Sequence, residues 1–318
     1  LNLAEWYVKD TKLTSKDVYS MYVSYVFDMH TLGFYTPLIV GASLDVVPGE
    51  ARLDLNKVNE HFNKVGGTHT YMTAQVGKLY AEGGYKTPIK LLCFGGMKLG
   101  ELHAPNSIGA FESYGPTENL AITTSIFANK RIHHSSIGNF IHNVKGYILD
   151  HEHRLVPFGA MGELYLSGYQ LAKGYLNRDK ENKEAFFKNS FTNEKGYEVL
   201  YKTGDVVRLL PDNTLGIIGR VDSQVKIRGN RVELGEVETC IKQVSGVIDV
   251  TVQTIQVNGN NELVAYVATK DKSIKDKIIK YVSTHKPSYM VPTHIIVLDK
   301  IPLNINGKVD KRALPKVD

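Results

Sequence analysis

The chain has 318 residues, 42% of them hydrophobic and 22% charged, with 38 Lys and Arg against 33 Asp and Glu for a net charge of +5. This is ordinary globular composition: a disordered chain would carry fewer apolar residues and a larger charge imbalance, and 28 Gly with 11 Pro are far too few for a collagen. No apolar run approaches the ~20 residues of a membrane-spanning helix and Leu1–Asp10 lacks a secretion-signal pattern, so the expectation is a cytoplasmic protein with no membrane partner.

From Leu1 to about Ser125 helical stretches alternate with short apolar runs such as Leu38–Val47 and Ile89–Phe94, broken by Gly-rich turns, a rhythm that predicts an α/β layer. From about Ile137 to Gly219 the runs shorten to Gly146–Asp150, Gly162–Ser167, Tyr201–Leu210 and Leu215–Ile218, separated by turns such as Asp212-Asn213. These predict a β-rich, barrel-like subdomain. After Gly219–Asp222 the chain becomes strongly charged. A helix over Gly235–Val244, strands near Val247–Gln256 and Glu262–Ala268, a helix over Ile274–His285 closed by Pro287, and a strand over His294–Leu298 predict a small α+β domain.

Cys93 and Cys240 are too few for a disulfide framework and have no C-x-x-C partner, which predicts free thiols. The pI is about 8.9, but the basic residues are scattered instead of forming one stripe. Nucleic acid is therefore not the expected partner, and anionic small molecules are.

Four clusters can carry chemistry. Ser113-Tyr114-Gly115-Pro116-Thr117-Glu118 places an aromatic, a tight turn, a hydroxyl and a carboxylate together: Tyr114 can stack on a purine, Thr117 can bond a phosphate and Glu118 can hold Mg²⁺, although a Pro-Gly surface turn has the same wording. Tyr201-Lys202-Thr203-Gly204-Asp205 ends a predicted strand on a carboxylate able to accept two ribose hydroxyls, or on a plain turn residue. Gly219–Glu238 concentrates Arg220, Lys226, Arg228 and Arg231, which also reads as a solvated face. Asn306-Gly307-Lys308 presents a lysine on a glycine turn near the C-terminus, where tails are usually exposed.

Taken in order, these clusters resemble the adenylation domains of nonribosomal peptide synthetases. The resemblance covers nearly the whole chain, through Phe27–His30, Tyr114–Glu118, Gly162–Gly168, Ala172-Lys173-Gly174-Tyr175-Leu176, Tyr201–Asp205, Gly219–Glu238, Pro287–Pro292 and Asn306–Leu314. It implies a truncated large α/β subdomain plus the β-rich barrel-like subdomain over 1–221 (α/β layer about 1–136, barrel-like part about 137–221). A small α+β C-terminal lid domain would follow over 222–318.

The family activates an amino acid with ATP, releasing pyrophosphate, and passes the aminoacyl group to the phosphopantetheine thiol of a peptidyl carrier protein beside neighbouring synthetase domains. Carried onto this chain, the resemblance makes Lys308 the catalytic cation on the mobile domain, a role suited to a long compact ammonium. It makes Asp205 the ribose ligand and Arg220 the neighbouring ribose or phosphate contact. Tyr114 becomes the adenine-stacking residue, Thr117 and Glu118 the phosphate and Mg²⁺ positions, and Asp222 the hinge for a rotation that withdraws Lys308 and presents the Lys226–Arg231 loop to the thiol channel. Asp28 would pair with the substrate ammonium; a helix N-cap before Met29–Tyr35 is its other reading. The remaining pocket wall would be Met29, Leu32, His69, Leu92, Phe94, Ser113, Ala121 and Ile122. The bulk of Met29, Leu32 and Phe94 favours a small substrate side chain such as Gly, Ala or Ser.

The match departs from the family in three places. The Ser/Thr/Gly-rich phosphate loop expected before Phe27-Asp28 has no counterpart in Leu1–Val26, so the chain reads as lacking the N-terminal portion. Glu112 stands where the family usually has an Asn that contacts the adenine amino group, and Ile217 where an aromatic often packs near the ribose. Competing readings are a stand-alone ligase that loads D-alanine or a similar small amino acid, and a non-catalytic remnant serving as a scaffold.

Overall fold

Parallel strands cannot be joined by tight turns, so the alternating helices of the first 114 residues act as crossovers between strands of one sheet. The computed structural model describes residues 1–96, 102, 107–127, 136–221, 224–271, 273–302 and 309–317. The chain divides into two compact units, Leu1–Val221 and Asp222–Asp318.

In the first unit, α1 (Asn2–Thr11) precedes β1 (Val18–Met21), α2 (His30–Val40), β2 (Ser43–Val46), α3 (Leu55–Val65), β3 (His69–Thr73), α4 (Ala74–Glu82), β4 (Leu91–Gly95) and β5 (Gly109–Tyr114). The strands form a sheet in the order β2-β1-β3-β4-β5, all parallel, extended by antiparallel β6 (Thr124–Phe127) and β7 (Asn139–Phe140). Both faces are covered. One carries Trp6 and Tyr7 of α1 and Leu32 of α2 against Tyr71, Cys93 and Phe111. The other carries Val58 and Phe62 of α3 and Tyr80 of α4 against Met72, Leu92 and Phe94. A strand buried on two faces needs no polar alternation, which is why Leu91–Phe94 is apolar throughout.

The predicted apolar run Leu38–Val47 is not one element. Leu38–Val40 finish α2, Gly41 closes it in the left-handed conformation at φ 70°, and β2 begins at Ser43. Glycine supplies that reversal without a Cβ clash, so the helix ends inside what reads as a continuous hydrophobic segment.

The rest of the first unit is a five-stranded antiparallel, barrel-like sheet of β8 (Val144–Leu149), β9 (Gly162–Gly168), β10 (Phe186–Lys188), β11 (Val199–Leu209) and β12 (Leu215–Arg220), with α5 (Asp179–Ala185) before β10. Its order is β10-β11-β9-β8, with β12 also paired to β11. Leu164, Leu166, Tyr201, Val207 and Leu215 fill its core together with Tyr114 from the end of β5.

The second unit opens with the hairpin β13 (Gln224–Ile227) and β14 (Asn230–Glu233), turned by Arg228 at φ 49° and Gly229 at φ 83°. Then come α6 (Leu234–Lys242), β15 (Asp249–Val257), β16 (Asn260–Ala268), α7 (Ile274–His285) and β17 (His294–Leu298). The three-stranded sheet is ordered β15-β16-β17, with β17 parallel to β16. Val237 and Ile241 of α6 and Ile274, Ile278 and Val282 of α7 pack on its Val252, Leu263, Ala265 and Val267.

Candidate active site

Sheets wound with helices on both faces bind ligands beyond the carboxyl ends of their strands. At that edge β1 leads into the segment ending at Asp28, β4 ends at Gly95, and β5 ends at Ser113 and Tyr114 before the 3₁₀ turn Thr117–Asn119.

Asp28 is half-buried, and its Oδ2 accepts the Thr117 hydroxyl at 2.5 Å. The helix N-cap is Met29, not Asp28, and no side chain caps α2. It is the Asp28 carbonyl that accepts the Thr31 hydroxyl, at 2.6 Å, so the capping alternative does not hold and the carboxylate faces the Thr117 turn. A cation at Asp28 thus meets a carboxylate oriented by one hydroxyl.

Glu118 is nearly buried. Its Oε1 accepts the Tyr175 hydroxyl at 2.6 Å and its carbonyl accepts the Ala172 N–H at 2.8 Å. Tyr175 is itself clamped, its N–H donating to Asn182 Oδ1 at 2.6 Å while Asn182 Nδ2 donates back to its carbonyl at 2.8 Å. Burial, then the adjacent Glu118 carboxylate, push the Tyr175 hydroxyl far above its ordinary range, so it remains a donor. Among the described residues no group of three His, Cys, Asp or Glu is placed to hold a metal ion. A lone carboxylate of this kind suits Mg²⁺, which keeps water and substrate phosphate oxygens as most of its ligands.

Asp205 does not end a strand, as its motif predicts. It sits inside β11 on a bulge: the pairing with β9 shifts between Lys202 and Val206, and Gly204 takes φ 76°. Bulges re-aim side chains. Here Oδ1 accepts Arg220 Nη1 at 2.8 Å from the facing position on β12, and Oδ2 accepts the Tyr114 hydroxyl at 2.5 Å. A carboxylate has about four acceptor positions, so two ribose hydroxyls can still be accommodated. Burial, then Asp205, raise the Tyr114 hydroxyl well above its usual value, which keeps it protonated toward Asp205.

Met29, Leu32, Ala121 and Ile122 lie in one cluster on the α1 and α2 side of the sheet. Ser113 is buried on that side, its hydroxyl donating to the Phe94 carbonyl at 2.8 Å. Three predicted pocket residues are not brought to them. Leu92 and Phe94 project to the opposite face, among Phe62, Met72 and Tyr80. His69 lies at the amino end of β3, level with Tyr19 and Leu91, its Nδ1 2.9 Å from the Thr68 hydroxyl. The positions on the pocket side are Tyr71, Cys93 and Gly95. A Cβ on Gly95 would collide with the Tyr71 hydroxyl and stand 2.9 Å from Ser113 Oγ, so only glycine leaves this floor open. Glu112, alternating with Ser113 along β5, is buried on the far side. The one sequence signal for Gly95 is the Gly95-Gly96 pair after an apolar strand; Tyr175 stands in the Ala172–Leu176 stretch, where nothing local points to its contact with Glu118. Lys308 and Asp222 lie outside the described residues.

The loop connecting the turn to the pocket is strained, with Leu120 at φ 50° and Ala121 at φ 66°. Consecutive left-handed residues that are not glycine cost on the order of 1–2 kcal/mol each and persist only where the surroundings enforce them.

Residues 1–176 match the family described as AMP-binding enzyme, and residues 236–308 match the AMP-binding enzyme C-terminal domain. The chain belongs to the AMP-binding enzyme family. Within that family it is 35% identical to bacitracin synthase 1 of Bacillus licheniformis over 317 residues, covering 99% of this chain and 6% of that protein. Surfactin synthase subunit 2 of Bacillus subtilis is 33% identical over 319 residues, of which the chain spans 9%. As an AMP-binding enzyme it also shares its fold with the Vibrio cholerae adenylation domain AlmE in complex with glycyl-adenosine-5'-phosphate, at TM-score 0.81 and 26% identity, covering 96% of this chain and 60% of that one.

Proposed function

We propose that this chain is part of an enzyme that activates an amino acid with ATP, giving aminoacyl-AMP and pyrophosphate, for transfer to the phosphopantetheine thiol of a carrier protein. The observation that carries the reading is the gathering of three carboxylates, each oriented by a named donor, around the carboxyl end of β5: Asp28 by Thr117, Glu118 by Tyr175, and Asp205, on β11 of the second sheet, by Arg220 and by Tyr114 at the end of β5.

In this reading Asp28 binds the substrate ammonium and Asp205 the ribose hydroxyls. Glu118 holds Mg²⁺, which when bound offsets charge on the phosphates. Tyr114 borders the adenine. A substrate carboxylate oxygen attacks the α-phosphorus, the bond to the β-phosphate bridging oxygen breaks, and pyrophosphate leaves with that electron pair. The attack brings negative charge toward negative charge, so cations and alignment supply the catalysis. Lys308, carried from the resemblance, and Arg220 are the cations assigned to it. In the second step the carrier thiolate attacks the acyl carbon and AMP leaves.

The proposed pocket wall is Met29, Leu32, Tyr71, Cys93, Gly95, Ser113, Ala121 and Ile122. Bulk at Met29, Leu32 and Tyr71 favours a small side chain, the discrimination being worth ~1–3 kcal/mol per methylene. The test is amino-acid-dependent ATP–pyrophosphate exchange by the full-length protein across the twenty standard amino acids. Exchange with one of Gly, Ala or Ser is expected. A best substrate with a large side chain removes the size argument, and no exchange with any of the twenty removes the proposal for standard amino acids.

A further inference from the structure

We infer that Gln170 is a specificity-determining positioning residue, which holds the strained pocket loop in shape without touching substrate. This rests on the amino-acid-activating reading, because it acts through Ala121 and Ile122.

The loop leaves the Thr117–Asn119 turn and passes through Leu120 at φ 50° and Ala121 at φ 66° before β6. Such a path would relax unless the carbonyls it turns inward were bonded. Its own backbone satisfies part of this: Ala121 N–H donates to the Pro116 carbonyl at 3.3 Å, and Ile122 N–H to the Leu120 carbonyl at 2.8 Å. The carbonyls of Asn119 and Ile122, which bracket the two left-handed residues, are bonded from elsewhere. Gln170 Nε2 donates to both, at 2.8 Å and 2.6 Å.

Gln170 follows β9 in the barrel-like sheet and is 9% exposed. One amide nitrogen has two protons, and both are used on this loop. The amide oxygen is held in turn: Asn2 Nδ2, at the start of α1, donates to Gln170 Oε1 at 2.9 Å, while Asn143 Nδ2 donates to Asn2 Oδ1 at 2.8 Å. The bonds fix which end of the amide is nitrogen, and the nitrogen faces the loop. Asn119 and Ile122, on either side of Leu120 and Ala121, are thereby tied to the segment that follows β9, and the part of the pocket wall formed by Ala121 and Ile122 is set by one buried side chain.

The isosteric change Gln170→Glu replaces the two donated protons with a carboxylate facing two carbonyls, and Gln170→Leu keeps bulk with no donor. In the full-length protein both are expected to raise the amino-acid KM about tenfold, leave the ATP KM within twofold, and narrow the preference between the best amino acid and its next larger homologue. Equal changes in both KM values, or a lowered melting temperature with an unchanged KM ratio, reduce Gln170 to a packing residue and overturn the inference. If neither variant folds, Asn2→Ala decides: it frees the Gln170 oxygen, and a rise of about threefold in the amino-acid KM supports the role while no change overturns it. Wild-type protein without amino-acid-dependent exchange strikes down the activity reading, and this inference with it; wild-type exchange with unaltered variants strikes down only Gln170.

Discussion

The Tyr175 hydroxyl donates to Glu118 Oε1 at 2.6 Å, joining the barrel-like sheet's flank to the turn that follows β5. A hydrogen bond to a buried carboxylate is worth roughly 1.5–3 kcal/mol. Tyr175→Phe keeps the ring and removes this hydrogen bond, so the Glu118 carboxylate is held less firmly. Exchange activity is expected to fall about tenfold and the Mg²⁺ concentration for half-maximal exchange to rise severalfold. A Mg²⁺ titration checks this, and an unmoved half-saturation point would separate Tyr175 from the metal position.

Arg220 and Tyr114 hold opposite oxygens of Asp205. Arg220→Met removes the cation and leaves a nearly buried carboxylate with one donor. The ATP KM is expected to rise about tenfold while the amino-acid KM stays within twofold, and steady-state kinetics with each substrate varied in turn reads the split. Asp205→Ala should raise the ATP KM further.

Asp28 is placed by the Thr117 hydroxyl and not by a helix cap. Asp28→Ala is expected to raise the amino-acid KM a hundredfold or more, about 3 kcal/mol by the tenfold-per-1.4 rule, with ATP binding little changed. Amino-acid dependence equal to wild type would end the ammonium assignment.

The contiguous motifs were legible because their chemistry is local: Ser113–Glu118 and Tyr201–Asp205 carry their residue types within six positions. The pocket floor was not. In β4 both faces are apolar, so nothing in Leu91-Leu92-Cys93-Phe94 says which side chains point toward Met29, and an offset of one residue moves every assignment to the other face. That is the difference between Leu92 and Phe94 as expected and Cys93 and Gly95 as found. The same ambiguity merged the end of α2 with β2, where only Gly41 marks the boundary. Tyr175 and Gln170 were hidden differently, since their roles depend on contacts with Glu118 and Ile122 that sequence distance conceals.

Gly77 in α4 illustrates packing on the far face. A Cβ there would lie 2.5 Å from Phe94 Cε1 and 3.2 Å from Met72 Cβ, against a ring that is fully buried. Gly77→Ala gains up to about 1 kcal/mol in helix propensity, but overpacking costs about 1–3 kcal/mol, so a net loss of about 1 kcal/mol is expected. Urea unfolding measures it, and a stabilised variant would show that Phe94 can move aside.

His69 makes folding stability depend on acidity. It is 4% exposed, and burial lowers its pKa from 6.5 to about 4, with Asp17 opposing and Lys90 reinforcing the shift. Between those values the unfolded chain binds a proton that the folded chain does not, so stability is fully present above pH 6.5 and is lost as pH falls toward 4. The loss is on the order of 2–3 kcal/mol by pH 4.5. Asp17 adds a second, lower window: burial works against it, but the Lys90 ammonium 2.9 Å away and the Thr14 hydrogen bonds hold its carboxyl well below the ordinary value, so its contribution disappears only below about pH 4. His69→Gln removes the first window and keeps the second. Urea unfolding of wild type and variant at pH 7.5, 5.5 and 4.5 should show the wild-type stability falling across the series while that of the variant stays nearly level. Parallel curves would place the acid sensitivity elsewhere.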